Sequence, residues 1–267
     1  MSTITEDQER SIADKVRDMR LSEGVGTEDS ACSISAINLA LYGRLTDDIP
    51  PCMSDALGAW IIEVQDNIPS WIRNSKEWKE LLPLAAGTGK SHEREIQAMI
   101  DQWIYFTVLE VAQPYADEQG FGEEWRTIRQ ECSKKSHETF KKKASACAKR
   151  HKYTHHSRVI HEMINAFSLD LDNSEKYRSS PYMAIVVTKD IVRESARLPF
   201  HGIMPPILDD SHKDDVEELE NNRAHDIAMI EFRYQWQIAA AKAQQEFWKS
   251  IDVCAALKGM IDITNGR

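Results

Sequence analysis

The chain has 267 residues, 42% of them hydrophobic and 28% charged, a globular rather than disordered balance with material for one large domain or two modest ones. Its 11 Gly and 9 Pro fall well below the roughly 12% of average usage, which favours long helices over many turns. A formal net charge of −10 excludes general affinity for nucleic acid over the whole surface.

No apolar run approaches the roughly 18 residues that a membrane span needs. The start, MSTITEDQERSIADKVRD, has neither the basic opening nor the apolar run of a signal peptide. Five cysteines (Cys32, Cys52, Cys132, Cys147, Cys254) are an odd number and form no CxxC pair. The expectation is a cytoplasmic protein with free thiols and no membrane contact. Charge is segregated along the chain. Between 134 and 158 there are nine Lys and Arg against Glu138 alone, so that segment carries +8 and the remainder −18.

In chain order, residues 5–21 read as a polar helix with Ile12, Val16 and Met19 at helical spacing. SEGVGTEDS is a loop. Ser30 is placed to cap a helix from Ala31 to Tyr42, which DDIPPC ends because Pro50 and Pro51 cannot donate backbone hydrogen bonds. Helices are expected over Ser54–Gln65 and Ser70–Leu82, with Trp60, Trp71 and Trp78 as a packed aromatic core. From Ser91 to about Tyr115, Ile96, Met99, Ile100, Trp103, Ile104, Phe106, Val108 and Val111 describe a central helix apolar on nearly every side.

Further helices span Gly122 to Phe167 and carry the basic segment. SLDLDNSEKYRSS is polar and marks a boundary, after which Ser180-Pro181 starts YMAIVVTKDIVRESAR as a helix. Its rival is a strand over Ile185–Thr188, which is rich in β-branched residues. LPFHGIMPPILDD is a loop. Val216, Leu219, Ile227, Ile230, Tyr234, Ile238 and Ala241 then follow helical spacing, either as one helix of about forty residues or as two with a kink. The fold class is all-α, a multi-helix bundle with a long C-terminal helix. Its organisation is 1–168 as an N-terminal helical domain, 169–213 as linker, short helix and loop, and 214–267 as the long helix packing on the rest.

Four features bear on chemistry. Gly87-Thr88-Gly89-Lys90-Ser91 ends like a phosphate-binding loop, but the pattern requires Gly where Leu84 stands and a buried strand before it. A helix–turn–helix linker with Ser91 as cap accounts for it. Cys147, His151 and His155 lie at i, i+4, i+8 and could present metal ligands, yet the surrounding segment is cationic and opposes a metal ion. His161-Glu162 opens like HExxH, but Asn165 stands where the second His belongs. Neither a metal nor another cofactor is therefore expected. The basic stretch, with Lys141, Lys142, Lys143, Lys149 and Arg150, could meet phosphates or an acidic protein surface. Asp214, Asp215, Glu217 and Glu218 suit the positive end of a helix dipole and could imitate nucleic-acid phosphates on a partner. There is no GxSxG elbow and no complete catalytic constellation.

From Gly24 to Trp103 the chain carries a Cys-containing turn leading into a helix, then an LxPxxxGT turn before a helix with Arg. The matching residues are Cys52, Trp60, Leu82, Pro83, Gly87, Thr88, Arg94 and Trp103. This third of the chain resembles a recurrent family of uncharacterised helical proteins of bacteria, phages and plasmids. The resemblance implies a mobile-element setting and carries no activity or functional residues. Together these features lead to an expected protein–protein inhibitor of a multi-subunit host complex, such as an anti-CRISPR protein. The alternatives are a metal-dependent enzyme using the Cys/His site and a nucleic-acid-binding protein using the 134–158 helix.

Overall fold

The computed structural model describes residues 4–118, 120–133, 181–196 and 216–266. These residues form a helical bundle with one two-stranded parallel ladder, Arg20–Leu21 (β1) on Ser30–Ala31 (β2). No helix among them is long and apolar enough to cross a membrane.

Helix α1 (Glu6–Asp18) opens with a capping box. The Thr5 hydroxyl accepts from Gln8 N–H, and the Gln8 side chain accepts from Thr5 N–H. At its other end, Lys79 Nζ donates to the carbonyls of Arg17 (3.1 Å) and Met19 (2.7 Å), partnering carbonyls that the helix leaves free. Burial beside this end lowers the Lys79 pKa from its ordinary value. Ile12 and Val16 face the core.

The β-ladder takes up Ser30 and Ala31, so helix α2 begins later than expected, spanning Ser33–Tyr42. Cys32, not Ser30, is its cap, with Sγ accepting from Ser35 N–H at 3.2 Å. Asn74 extends the ladder sideways. Its Oδ1 accepts from Leu21 N–H and its Nδ2 donates to Leu21 O, imitating a neighbouring strand. The turn before β2 needs Gly26. Its φ is +78°, and a Cβ there would stand 2.1 Å from Ser30 O.

Helix α3 (Asp55–Gln65) matches the helix expected over Ser54–Gln65, with Ser54 as its cap. The helix expected over Ser70–Leu82 is two, α4 (Ser70–Arg73) and α5 (Lys76–Ala86). Ser75 caps the second by accepting from Trp78 N–H. Helix α5 also continues through Pro83, where its sequence suggested a break.

The stretch expected as one central helix is segmented into α6 (Glu93–Trp103), a π-helical turn (Ile104–Val108), α7 (Leu109–Val111) and α8 (Gln113–Glu118). Its helix starts at Glu93 with His92 at the cap position, so Ser91 is not the cap. Nor is it buried all round: Ile96, Ile100, Ile104 and Val108 are inside, while Phe106 is 66% exposed. The π turn inserts an extra residue per turn, which rotates the apolar face that follows it.

Helix α9 (Gly122–Ser133) places Trp125 in the core, with Nε1 donating to Leu109 O. Residues 181–195 are helix, not strand: α10 (Pro181–Ser195) buries Ala184, Ile185, Ile191 and Val192. It packs on α3, on α8 and on α11, whose range is Val216–Ile251. The C-terminal region is two helices, α11 and α12 (Val253–Thr264), rather than one. Between them Asp252 takes a left-handed φ of 33°, and its carboxylate accepts from Ala255 N–H to start α12. Trp103 Nε1 donates to Ile251 O at 3.0 Å at this break, tying it to the centre of the bundle.

That centre is aromatic. Trp60 lies 6.3 Å from Trp78 and 5.3 Å from Trp103 between ring centroids. Trp78 Nε1 donates to Ser33 Oγ, and Ser33 N–H donates to Gln65 Oε1. The three-tryptophan core read from sequence needs one exchange. Trp71 is 52% exposed, and Trp103, distant in sequence, takes its place.

Candidate functional site

The GTGKS string is a structural joint. Thr88 is buried, its Oγ1 accepting from Ser54 N–H (3.0 Å) and donating to Ala85 O (2.8 Å). Gly89 adopts a φ of +65° and donates its N–H to Cys52 O. Lys90 Nζ pairs with Asp55 at 2.5 Å. Both oxygens of Glu93 accept from the first amides of α3, Asp55 N–H (2.8 Å) and Ala56 N–H (2.9 Å), while Ser54 Oγ takes Leu57 N–H. The positive end of α3 is thus filled by the protein's own carboxylate. Helix α5 precedes the loop where a phosphate-binding loop follows a strand.

The other predicted positions are distributed unevenly. Lys141, Lys142, Lys143, Cys147, Lys149, Arg150, His151 and His155 lie outside the described residues, as do Asp214 and Asp215. Glu217 and Glu218 belong to the first turn of α11 by backbone position. Among the described residues no group of three His, Cys, Asp or Glu side chains could hold a metal ion. Cys254 is a buried thiol pushed up to about 11, first by burial and then by Glu77 and Asp252, which makes it a poor nucleophile. A groove of about 450 Å³ between α1 and α5 is lined by Ala13, Arg17, Asn74, Lys76, Lys79 and Glu80. Its polar groups are engaged within the protein: Lys79 and Asn74 as described, Arg17 with Asp14 and Asp18, Lys76 with Glu80.

Two features were not legible in the sequence. Arg73 is buried, donates to Glu23 Oε1 at 3.1 Å, and keeps Nε and Nη1 enclosed without a hydrogen-bond partner. It fastens the loop after β1 to the body. Nothing in the string SWIR marks this Arg as internal. Nearby in charge terms, Lys189 stands 5.6 Å over the Trp248 ring, its pKa lowered by burial against the opposing pull of Asp190.

The second feature is the free side of α11. At about 1.5 Å per residue its 36 residues run roughly 54 Å. Its last turns dock through Ala240, Phe247 and Ile251, with Met229, Phe232, Trp236 and Ala243 partly covered on the same side; Trp248 is buried too, on the side that Ile230 occupies about five turns earlier. The apolar residues that helical spacing picks out in its middle are not the ones that pack. Ile227, Ile230 and Tyr234 are 58%, 67% and 58% exposed. They sit at i, i+3, i+7 and so share one face. Glu231 and Gln235 are exposed beside them and hydrogen-bonded to each other. Single exposed apolar residues are commonplace; here three large ones lie in one row.

No family model, curated protein or solved structure matches this chain.

Proposed function

We propose that this protein works by binding another protein, as a mobile-element product that inhibits a multi-subunit host complex in the manner of an anti-CRISPR protein. The observation that carries the reading is the exposed row Ile227, Ile230 and Tyr234 on a helix whose opposite side is already docked. An apolar row in water is a standing cost that a partner surface relieves. Charge segregation supports the same reading, since oppositely charged segments steer and orient a docking event. The basic residues Lys141, Lys142, Lys143, Lys149 and Arg150 and the acidic Asp214, Asp215, Glu217 and Glu218 are its charged contributors. The mobile-element setting comes from the resemblance of residues 24–103. Inhibition is steric: the bound protein occupies a face that the complex needs.

The test is affinity capture from nuclease-treated host lysate with the wild-type chain and with the double variant Ile230→Gln, Tyr234→Gln. A stoichiometric protein partner that survives nuclease and is lost by the variant is the expected result. Recovery of the wild-type chain alone overturns the binding reading.

A further inference from the structure

We propose that Arg73 is the floor of a binding site for a phosphate group, which enters by displacing the Glu23 side chain. The site stands independently of the protein-binding reading. Its first element is an unsatisfied cation. Arg73 is 5% exposed; its Nη2 donates to Glu23 Oε1 at 3.1 Å, while Nε and Nη1 are enclosed without a partner. A guanidinium meets an oxyanion best through two parallel N–H···O bonds, and a buried donor left bare is destabilising. Glu23, tethered to the chain, supplies one bond where the fork offers two. A free oxyanion is not so constrained. Held by Nη2 and a neighbouring nitrogen, it satisfies a donor that Glu23 leaves bare.

Entry is through Glu23. Its side chain is 67% exposed, so the Nη2 edge of the guanidinium is the one that faces the surface. The backbone around it is fastened, with Ser22 N–H donating to Ala31 O (2.9 Å) and Cys32 N–H to Gly24 O (3.1 Å). Rotation of one surface side chain therefore opens the site, with no movement of the loop. Charge then selects the ligand. Lys189, on α10, is partly buried over the Trp248 ring. Burial lowers its pKa, Asp190 opposes that, Arg193 adds to it, and Glu23 pulls it back up. Asp190 is itself paired with Arg193 at 3.2 Å, which leaves Arg73 and Lys189 drawn to the single charge of Glu23. Two desolvated cations favour a dianion, which a phosphate group supplies above its second pKa of about 6. A carboxylate monoanion repeats what Glu23 already does. The phosphodiesters of nucleic acid carry one charge each, so the fitting ligand is free phosphate or a small phosphate monoester.

The probes are inorganic phosphate and glycerol phosphate, titrated into the full-length protein at about pH 8, where both are dianions. Chloride holds the ionic strength constant, and the melting midpoint is read. Phosphate should raise the midpoint saturably, as a bound ligand does, whereas general salting effects keep climbing. Acetate should leave it unchanged. Glu23→Ala removes the competing carboxylate from an exposed position and should tighten phosphate binding roughly tenfold. Lys189→Met should weaken it by about the same factor, and Arg73→Met should abolish it. The Glu23→Ala result decides even where Arg73→Met does not fold, because Glu23 stands at the surface. A response to both probes assigns a phosphate monoester site, and a response to inorganic phosphate alone assigns the free anion; either supports the site. The absence of a saturable rise, unchanged affinity in Glu23→Ala, or equal stabilisation by acetate overturns it. So does a folded Arg73→Met that phosphate stabilises as much as wild type.

Discussion

Thr88→Val tests whether the GTGKS string is a joint or a ligand loop. The substitution keeps the shape of a side chain that is 2% exposed and removes only its hydroxyl. That oxygen accepts from Ser54 N–H and donates to Ala85 O, linking the end of α5 to the start of α3. Without it, Ser54 N–H is left enclosed and the Ala85 carbonyl loses this contact. Leaving one buried polar group unsatisfied costs about 1–3 kcal/mol. The amide carries most of the penalty, since the carbonyl keeps a second acceptor position, so the total is about 2–3 kcal/mol. Urea unfolding followed by tryptophan emission reads this well, because Trp60 and Trp78 sit in the same core. The midpoint should fall with an unchanged slope. Lys90→Ala is the internal comparison. Its pair with Asp55 is partly exposed on both sides, so its loss costs under about 1 kcal/mol. A Thr88→Val loss below about 0.5 kcal/mol, or a nucleotide-dependent rise in melting midpoint that Lys90→Ala abolishes, would refute the joint.

Cys254 sets an alkaline limit. Its folded pKa of about 11 lies above the ordinary thiol value of about 8.5, so the stability it contributes is complete below pH 8.5 and is lost as pH rises toward 11. Stability of the wild type should decline across that window by up to about 3 kcal/mol, and Cys254→Ala should flatten this part of the profile in chemical denaturation at stepped pH. Asp252→Ala removes the carboxylate that starts α12 while keeping the left-handed backbone, at a cost of roughly 1–3 kcal/mol. Asp252→Asn, which caps and tolerates that conformation, should stay within about 0.5 kcal/mol; equal melting of the two variants would contradict the assigned role.

Much of the fold was legible because local rules act locally. The helices over 5–21 and Ser54–Gln65, the periodic Ile12 and Val16, and the Ser-Pro start of α10 need only neighbours within a turn or two. Where sequence reading failed, a distant segment had intervened. Ser30 lost its place as a cap because Arg20 and Leu21 paired with it and Ala31. Trp71 yielded to Trp103 because the core is assembled from segments far apart in sequence.

The candidate surface shows the same division most clearly. The residue order determined by itself that Ile227, Ile230 and Tyr234 share one side of a long helix, since 3.6 residues per turn allow little else. It could not determine which side of that helix would be covered, because Met229, Phe232, Trp236 and Phe247 supply a second apolar side at the same period. Only the tertiary structure decided between them. The packing of α10 and the break at Asp252 docked the helix through Phe247 and Ile251, and left Ile227, Ile230 and Tyr234 facing water.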